Sequence, residues 1–246
     1  MHCFKPPNRN TGFTLVELAI VLVIVALLTS GLLLGVSAQR NAAENIDAQR
    51  QLENIREALL GYAMANGRLP CPAIPTLPNT DANAGSEDRP NPSSPCNRTF
   101  GVLPWATLGL PETDPWGNRF TYFASSKFTA QLTAGAQSSF TLSTGDPNAN
   151  PPDNAGTANI KESSGAGANI ASDLPAVIVS HGSRSGGAYQ ATGAKLPTSA
   201  DPNEASNSNA TQTFISRTPS DTFDDLVTWV VPSILKSKMV AAGRLP

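Results

Sequence analysis

Leu, Val, Ile and Ala fill positions 13–34 with little interruption, and Thr29, Ser30 and Gly31 are the soft spots near the end of the run. Residues 36–66 change character: they hold no proline, and Ile46, Leu52, Ile55, Leu59 and Tyr62 recur near the 3.6-residue period of a helix with one apolar face. Asn66-Gly67 supplies a stop, and Pro70 and Pro72 forbid continuation. The pattern therefore predicts one helix of roughly 75 to 80 Å at 1.5 Å per residue, whose second half must lie on the remaining chain.

Beyond that helix the signals shorten. Residues 73–98, rich in Pro, Asn, Ser and Asp, read as a long loop. Asp114-Pro115-Trp116-Gly117-Asn118 is a turn signal with strand-like residues 120–124 behind it, and Trp116 and Tyr122 are expected to cover the helix. Further strands are expected at 128–132, 139–143, 176–180 and Phe214-Ile215. Residues 224–231 read as strand or helix up to Pro232. A short helix is expected at 233–242, ended by Gly243, with Ile234, Leu235, Met239 and Val240 as one apolar face on the domain. The stretches 145–172 and 192–212 read as polar insertions, the first disordered or only locally ordered.

The run at 13–35 is long enough to cross the ~30 Å hydrocarbon core of a bilayer. A buried core helix is the alternative, but it would not need the acid-free flank carrying Lys5 and Arg9, which reads as a cytoplasmic side. The expected topology is a single pass of the bacterial inner membrane with the C-terminal domain periplasmic. An acid at the centre of such a helix costs roughly 2.5 to 3.5 kcal/mol by insertion scales. Glu17 is then either wet at the interface or paired. Were the chain cut after Gly12, the freed amine of Phe13 on a neighbouring copy could pair with it and fix axial register.

Gly12-Phe13-Thr14-Leu15-Val16-Glu17-Leu18 followed by an apolar helix resembles the cleavage and methylation segment of type IV pilins and type II secretion pseudopilins. The resemblance covers about the first 25 residues. It implies an α+β, pilin-like fold, with a long N-terminal helix packed on a small antiparallel sheet. It also implies that a membrane aspartyl prepilin peptidase cuts after Gly12, that Phe13 is N-methylated, and that Glu17 is the fifth-position acid of the mature chain. Leu34 stands where many members carry a helix-bending proline. The expected domains are a leader at 1–12, a membrane and filament-core helix at 13–35, its amphipathic continuation at 36–66, and an α+β body at 67–246. The turn at Asp114 to Asn118 also resembles that of major pseudopilins, which favours a secretion pseudopilus. The expected partners are the peptidase, like subunits, an inner-membrane assembly platform and membrane lipid. A minor type IV pilin for adhesion, motility or DNA uptake, and an anchored periplasmic binding module, are the rival readings.

Composition narrows this further. Charged residues make up 15% of the chain, with 21 Pro and 19 Gly, which favours loop-rich extracytoplasmic material. The formal charge of −2, more acidic once Lys5 and Arg9 leave, offers no basic patch for nucleic acid. Loss of Cys3 with the leader leaves Cys71 and Cys96, an even pair that reads as a disulfide worth roughly 3.5 kcal/mol by chain entropy, or else as two free thiols. Two cysteines without a nearby histidine make a poor zinc site. Ser180-His181-Gly182-Ser183 lacks the Gly-x-Ser-x-Gly pattern of a hydrolase nucleophile and reads as an exposed turn. Gly182, Gly186 and Gly187 make no phosphate loop. No acid–base constellation marks an enzyme, and no cofactor is expected. Because major pseudopilins bind calcium in a C-terminal loop, Asp201, Asn203, Glu204, Asp221, Asp224 and Asp225 are candidate oxygen donors, in no recognised spacing.

Overall fold

A computed structural model describes residues 12, 14–91, 94–143, 156–165 and 167–245, with the backbone alone at 29–38. Contact density divides the chain into two units, Met1–Ala43 and Glu44–Pro246. Helix α1 (Leu15–Asn66) contributes to both. In the first unit the described side chains from Leu15 to Leu28 are exposed. Among the described residues no helix is long and apolar enough to cross a membrane. The expectation of a fold whose first helix half is transmembrane is thereby corrected: the fold is α+β with several short helices and open sheets.

The second unit is built in layers around a four-stranded antiparallel sheet of order β1-β3-β6-β9. Its strands are β1 (Phe100–Val102), β3 (Thr121–Ala124), β6 (Ala176–Ser180) and β9 (Leu226–Val230). Side chains alternate across a strand. Tyr122, Ala124, Ala176, Ile178 and Val230 therefore face Leu52, Ile55, Leu59, Leu60 and Ala63 of α1, while Phe123, Val177 and Val179 face the other way. That second face is covered by β4 (Ala158–Lys161), β5 (Asn169–Leu174) and β8 (Thr213–Ile215), which form a sheet of order β5-β4-β8 with β4 and β8 parallel. Ala158, Ile160 and Phe214 enter this second core, the Phe214 ring lying 5.8 Å from that of Phe123. Covered on both faces, β6 is buried along its whole length, which is why it reads as an unbroken apolar run.

Helix α1 ends where the sequence places its stop. Gly67 takes φ +70°, its N–H bonds the Ala63 carbonyl at 2.8 Å, and a Cβ there would meet the Gln137 carbonyl oxygen at 2.2 Å. Arg244 donates to the carbonyls of Met64 and Ala65, bringing a cation to the negative end of the helix dipole. Ile46, assigned to the inner face by its spacing, is half exposed.

Several expected elements are replaced. Residues 145–172, expected as an exposed insertion, include β4 and most of β5; a four-residue strand with two buried apolar side chains is too short to announce itself. Residues 192–212 hold α4 (Pro202–Ser208), started by the Asp201 carboxylate accepting the Asn203 N–H, with proline in the first turn. Phe128 lies in the one-turn helix α3 (Ser126–Thr129), buried against Phe140 at 4.6 Å, so no strand runs at 128–132, and 139–143 is irregular. A one-turn α2 (Trp105–Leu108) and a small pair, β2 (Asn118–Arg119) with β7 (Tyr189–Gln190), complete the body. In α5 (Pro232–Ala241) Leu235 and Met239 point inward, whereas Ile234 and Val240 are exposed, so the expected single apolar face is divided.

The Asp114 turn fixes this architecture. Asp114 Oδ1 accepts the N–H groups of Trp116 and Asn118, and its Oδ2 accepts the Ser180 hydroxyl at 2.7 Å. Burial raises the Asp114 pKa despite those three donors. Trp116 Nε1 reaches back to Glu44 Oε2 at 3.1 Å, and Tyr122 donates to the Pro70 carbonyl from within the core against α1.

Candidate functional site

The first turn of α1 is a reciprocal cap. Thr14 precedes the helix, and its N–H and hydroxyl both donate to Glu17 Oε2 at 2.9 Å, while the Glu17 N–H donates to Thr14 Oγ1 at 3.2 Å. This is the capping box, which satisfies two orphan donors of a helix start at once. Hydrogen bonds from the Thr14 backbone, then from its hydroxyl, hold the Glu17 carboxyl below its usual range. Glu17 is exposed and its charge has partners in its own chain. The sequence reading missed Thr14, although Thr-x-x-Glu ahead of an apolar run is the signature of this cap. Gly12 is exposed, and among the described residues no heavy atom lies within 4 Å of where a Cβ would stand. Phe13 lies outside the described residues.

A second cluster surrounds the disulfide. Cys71 and Cys96 are bonded, their Cα atoms 5.5 Å apart. Glu87 receives both Arg68 terminal nitrogens at 2.8 Å and the Cys71 N–H at 3.1 Å. Burial alone would raise the Glu87 pKa, but Arg68 and the Cys71 amide outweigh it, and the carboxyl titrates below its usual range. Arg89, with 2% of its side chain exposed, bonds the carbonyls of Ser94 and Thr129, and its Nη2 lies 3.6 Å from Cys96 Sγ.

Of the six candidate calcium donors, the fold gathers three. Glu204, Asp224 and Asp225 bring one carboxylate oxygen each to within 4.8 Å of one another. Asp224 Oδ1 and Asp225 Oδ1 are buried without a hydrogen-bond partner. Such a donor set fits a hard cation. Burial raises the Glu204 pKa, against hydrogen bonds from Ser199 and the Asp224 N–H, and the neighbouring Asp225 and Asp224 raise it further. Asp201 caps α4, Asn203 Oδ1 accepts the Ser164 N–H, and Asp221 is exposed.

The segment after β6 is a turn, but it is not exposed throughout as expected. Ser180 and His181 are fully buried. His181 Nε2 lies 2.8 Å from Thr121 Oγ1, and Nδ1 lies 3.4 Å from Asp225 Oδ1. The grouping is enclosed, which suits a structural polar network and gives no substrate access.

Residues 7–33 match the prokaryotic N-terminal methylation motif. The chain thus carries the motif that marks pilin- and pseudopilin-type proteins, and the match spans Gly12, Phe13 and Glu17. No curated protein and no solved structure matches the chain. The same helix result that corrects the fold corrects three further expectations: a transmembrane anchor, a single-pass inner-membrane location, and a secretion pseudopilus assembled by packing of spanning helices. The rival pilin and anchored-module readings relied on the same segment and fall with it.

Proposed function

We propose that this chain is the object of prepilin-type processing. A peptidase hydrolyses the peptide bond between Gly12 and Phe13, the new amine of Phe13 is methylated, and the product associates with like subunits. In that association the Glu17 carboxylate of one copy meets the Phe13 amine of another. The chain itself catalyses nothing.

The observation that carries this reading is the position of the motif relative to the helix. The match at 7–33 crosses Gly12, and α1 begins at Leu15, so the bond to be cut precedes the first helical residue. Gly12 itself lies outside the helix, so its backbone is not held in the i to i−4 hydrogen bonds of a helix interior. Gly12 offers no side chain to obstruct a peptidase, and among the described residues none crowds it. Co-expression with a prepilin-type peptidase tests the reading. The native chain should lose its first twelve residues and Gly12→Val should not; equal cleavage of both would overturn it.

A further inference from the structure

The two sulfurs of the disulfide sit in opposite surroundings. Cys71 is fully buried, its N–H engaged by the Glu87 carboxylate. Cys96 is partly exposed, and its sulfur faces the Arg89 guanidinium at 3.6 Å. Arg89 shares its carboxylate partner with Arg68. Its Nε is buried without a hydrogen-bond partner, and the nearest carboxylate, Glu87 at 3.8 Å, is already held by both terminal nitrogens of Arg68. Arg68, Glu87 and the Tyr62 hydroxyl surround Arg89, the Arg98–Asp88 ion pair flanks Cys96, and the Thr129 carbonyl oxygen lies 3.8 Å from the Cys96 sulfur, so that among these described residues the three arginines outnumber the two carboxylates by one charge. A thiolate at Cys96 would answer that excess, whereas one at Cys71 would be buried beside an anion.

We infer that Cys96 is the reactive member of the pair, the sulfur through which an external disulfide oxidises the reduced chain, and that Arg89 is the positioning residue that keeps it a thiolate. In the first step Cys96 Sγ attacks one sulfur of the donor. The donor S–S bond breaks, a mixed disulfide forms at Cys96, and the first donor thiolate departs with the electron pair. In the second step Cys71 Sγ gives up its proton and attacks Cys96 Sγ, displacing the second donor thiolate. The chain loses two electrons and two protons, and the donor gains them as two thiols. Access and thiolate population both assign the order, since the exposed sulfur is also the one whose thiolate is stabilised.

The test uses the full-length chain with Cys3→Ser, so that two cysteines remain. In the Cys71→Ser variant, the rate of Cys96 alkylation by iodoacetamide should reach half its maximum at least about one pH unit below the ordinary thiol value of ~8.5. The same measurement in 8 M urea should return the ordinary profile. Arg89→Gln should move the folded profile up, and Arg89→Lys should restore part of the shift. With the two-cysteine protein, glutathione disulfide should give a mixed disulfide trapped at Cys96. An ordinary profile in the folded Cys71→Ser chain, or a mixed disulfide mainly at Cys71, overturns the assignment even where the Arg89 variants fail to fold.

Discussion

Glu17 accepts both the amide and the hydroxyl of Thr14 on one carboxylate oxygen, and the Glu17 amide returns a bond to the same hydroxyl. The acid that the apolar run seemed to strand thus has a partner three residues away. Two roles for Glu17, capping and charge pairing with another copy, can be separated by substitution. Thr14→Ala removes the cap at a cost of about 1 kcal/mol and should speed amide exchange over residues 15–18. Glu17→Gln still accepts hydrogen bonds and should fray that turn less. If the charge meets a neighbour's amine, Glu17→Gln abolishes co-purification of tagged and untagged copies while Thr14→Ala preserves it. Equal co-purification of both variants would leave Glu17 as a cap alone.

Arg119 joins five residues of the second unit. Its side chain is fully buried, pairs with Glu112 at 2.7 Å, donates to the carbonyls of Pro75, Leu77 and Ala191, and stacks 4.6 Å over Trp105. Arg119→Met leaves three carbonyls and a carboxylate without their donor. Breaking a buried pair costs about 3 to 5 kcal/mol, and a body of this size loses roughly 2 to 4 °C per kcal/mol. Thermal unfolding should fall by about 10 °C; a fall under 3 °C would show that the hub is dispensable.

Two of the carboxyls with shifted pKa values, Glu87 and Glu204, predict opposite pH trends. Glu87, lowered by Arg68 and the Cys71 amide against its burial, stabilises the fold above the ordinary value of 4.5 and loses that contribution as pH falls through its lowered folded value. Glu87→Gln should therefore lower the melting temperature at pH 7, and the difference should shrink on acidification below pH 4.5. Glu204, raised by burial, contributes stability below 4.5 that is lost as pH rises through its raised folded value. With a chelator present, Glu204→Gln should melt above the native protein at pH 7 and level with it in acid. Melting curves from pH 3 to 8 check both, and parallel curves for native and variant would refute either assignment.

Long, periodic features were legible in the sequence because local physics determines them. The stop at Asn66, the fully covered strand β6, the strand behind Trp116 and the final helix all follow from apolar spacing or turn chemistry. Features made by distant partners were not legible. Ala158 and Ile160 lie in a strand held between β5 and β8, the latter more than fifty residues further along the chain. His181 reads as turn residue by its neighbours and is buried by Thr121 and Asp225. Glu204, Asp224 and Asp225 have no regular spacing because one comes from α4 and two from the approach to β9. The membrane reading, drawn from the apolar run and the Lys5 and Arg9 flank, is corrected by the absence, among the described residues, of a helix long and apolar enough to cross a membrane. The Thr14 cap, by contrast, is local, and Thr-x-x-Glu ahead of an apolar run carries its signal.

The most direct measurement is the mass and N-terminal sequence of the protein isolated from cells that contain a prepilin-type peptidase. Processing predicts a chain that begins at Phe13 with one methyl group on its amine and has lost the twelve residues before it. A native chain that still carries those residues, or one that begins at another position, would contradict the account.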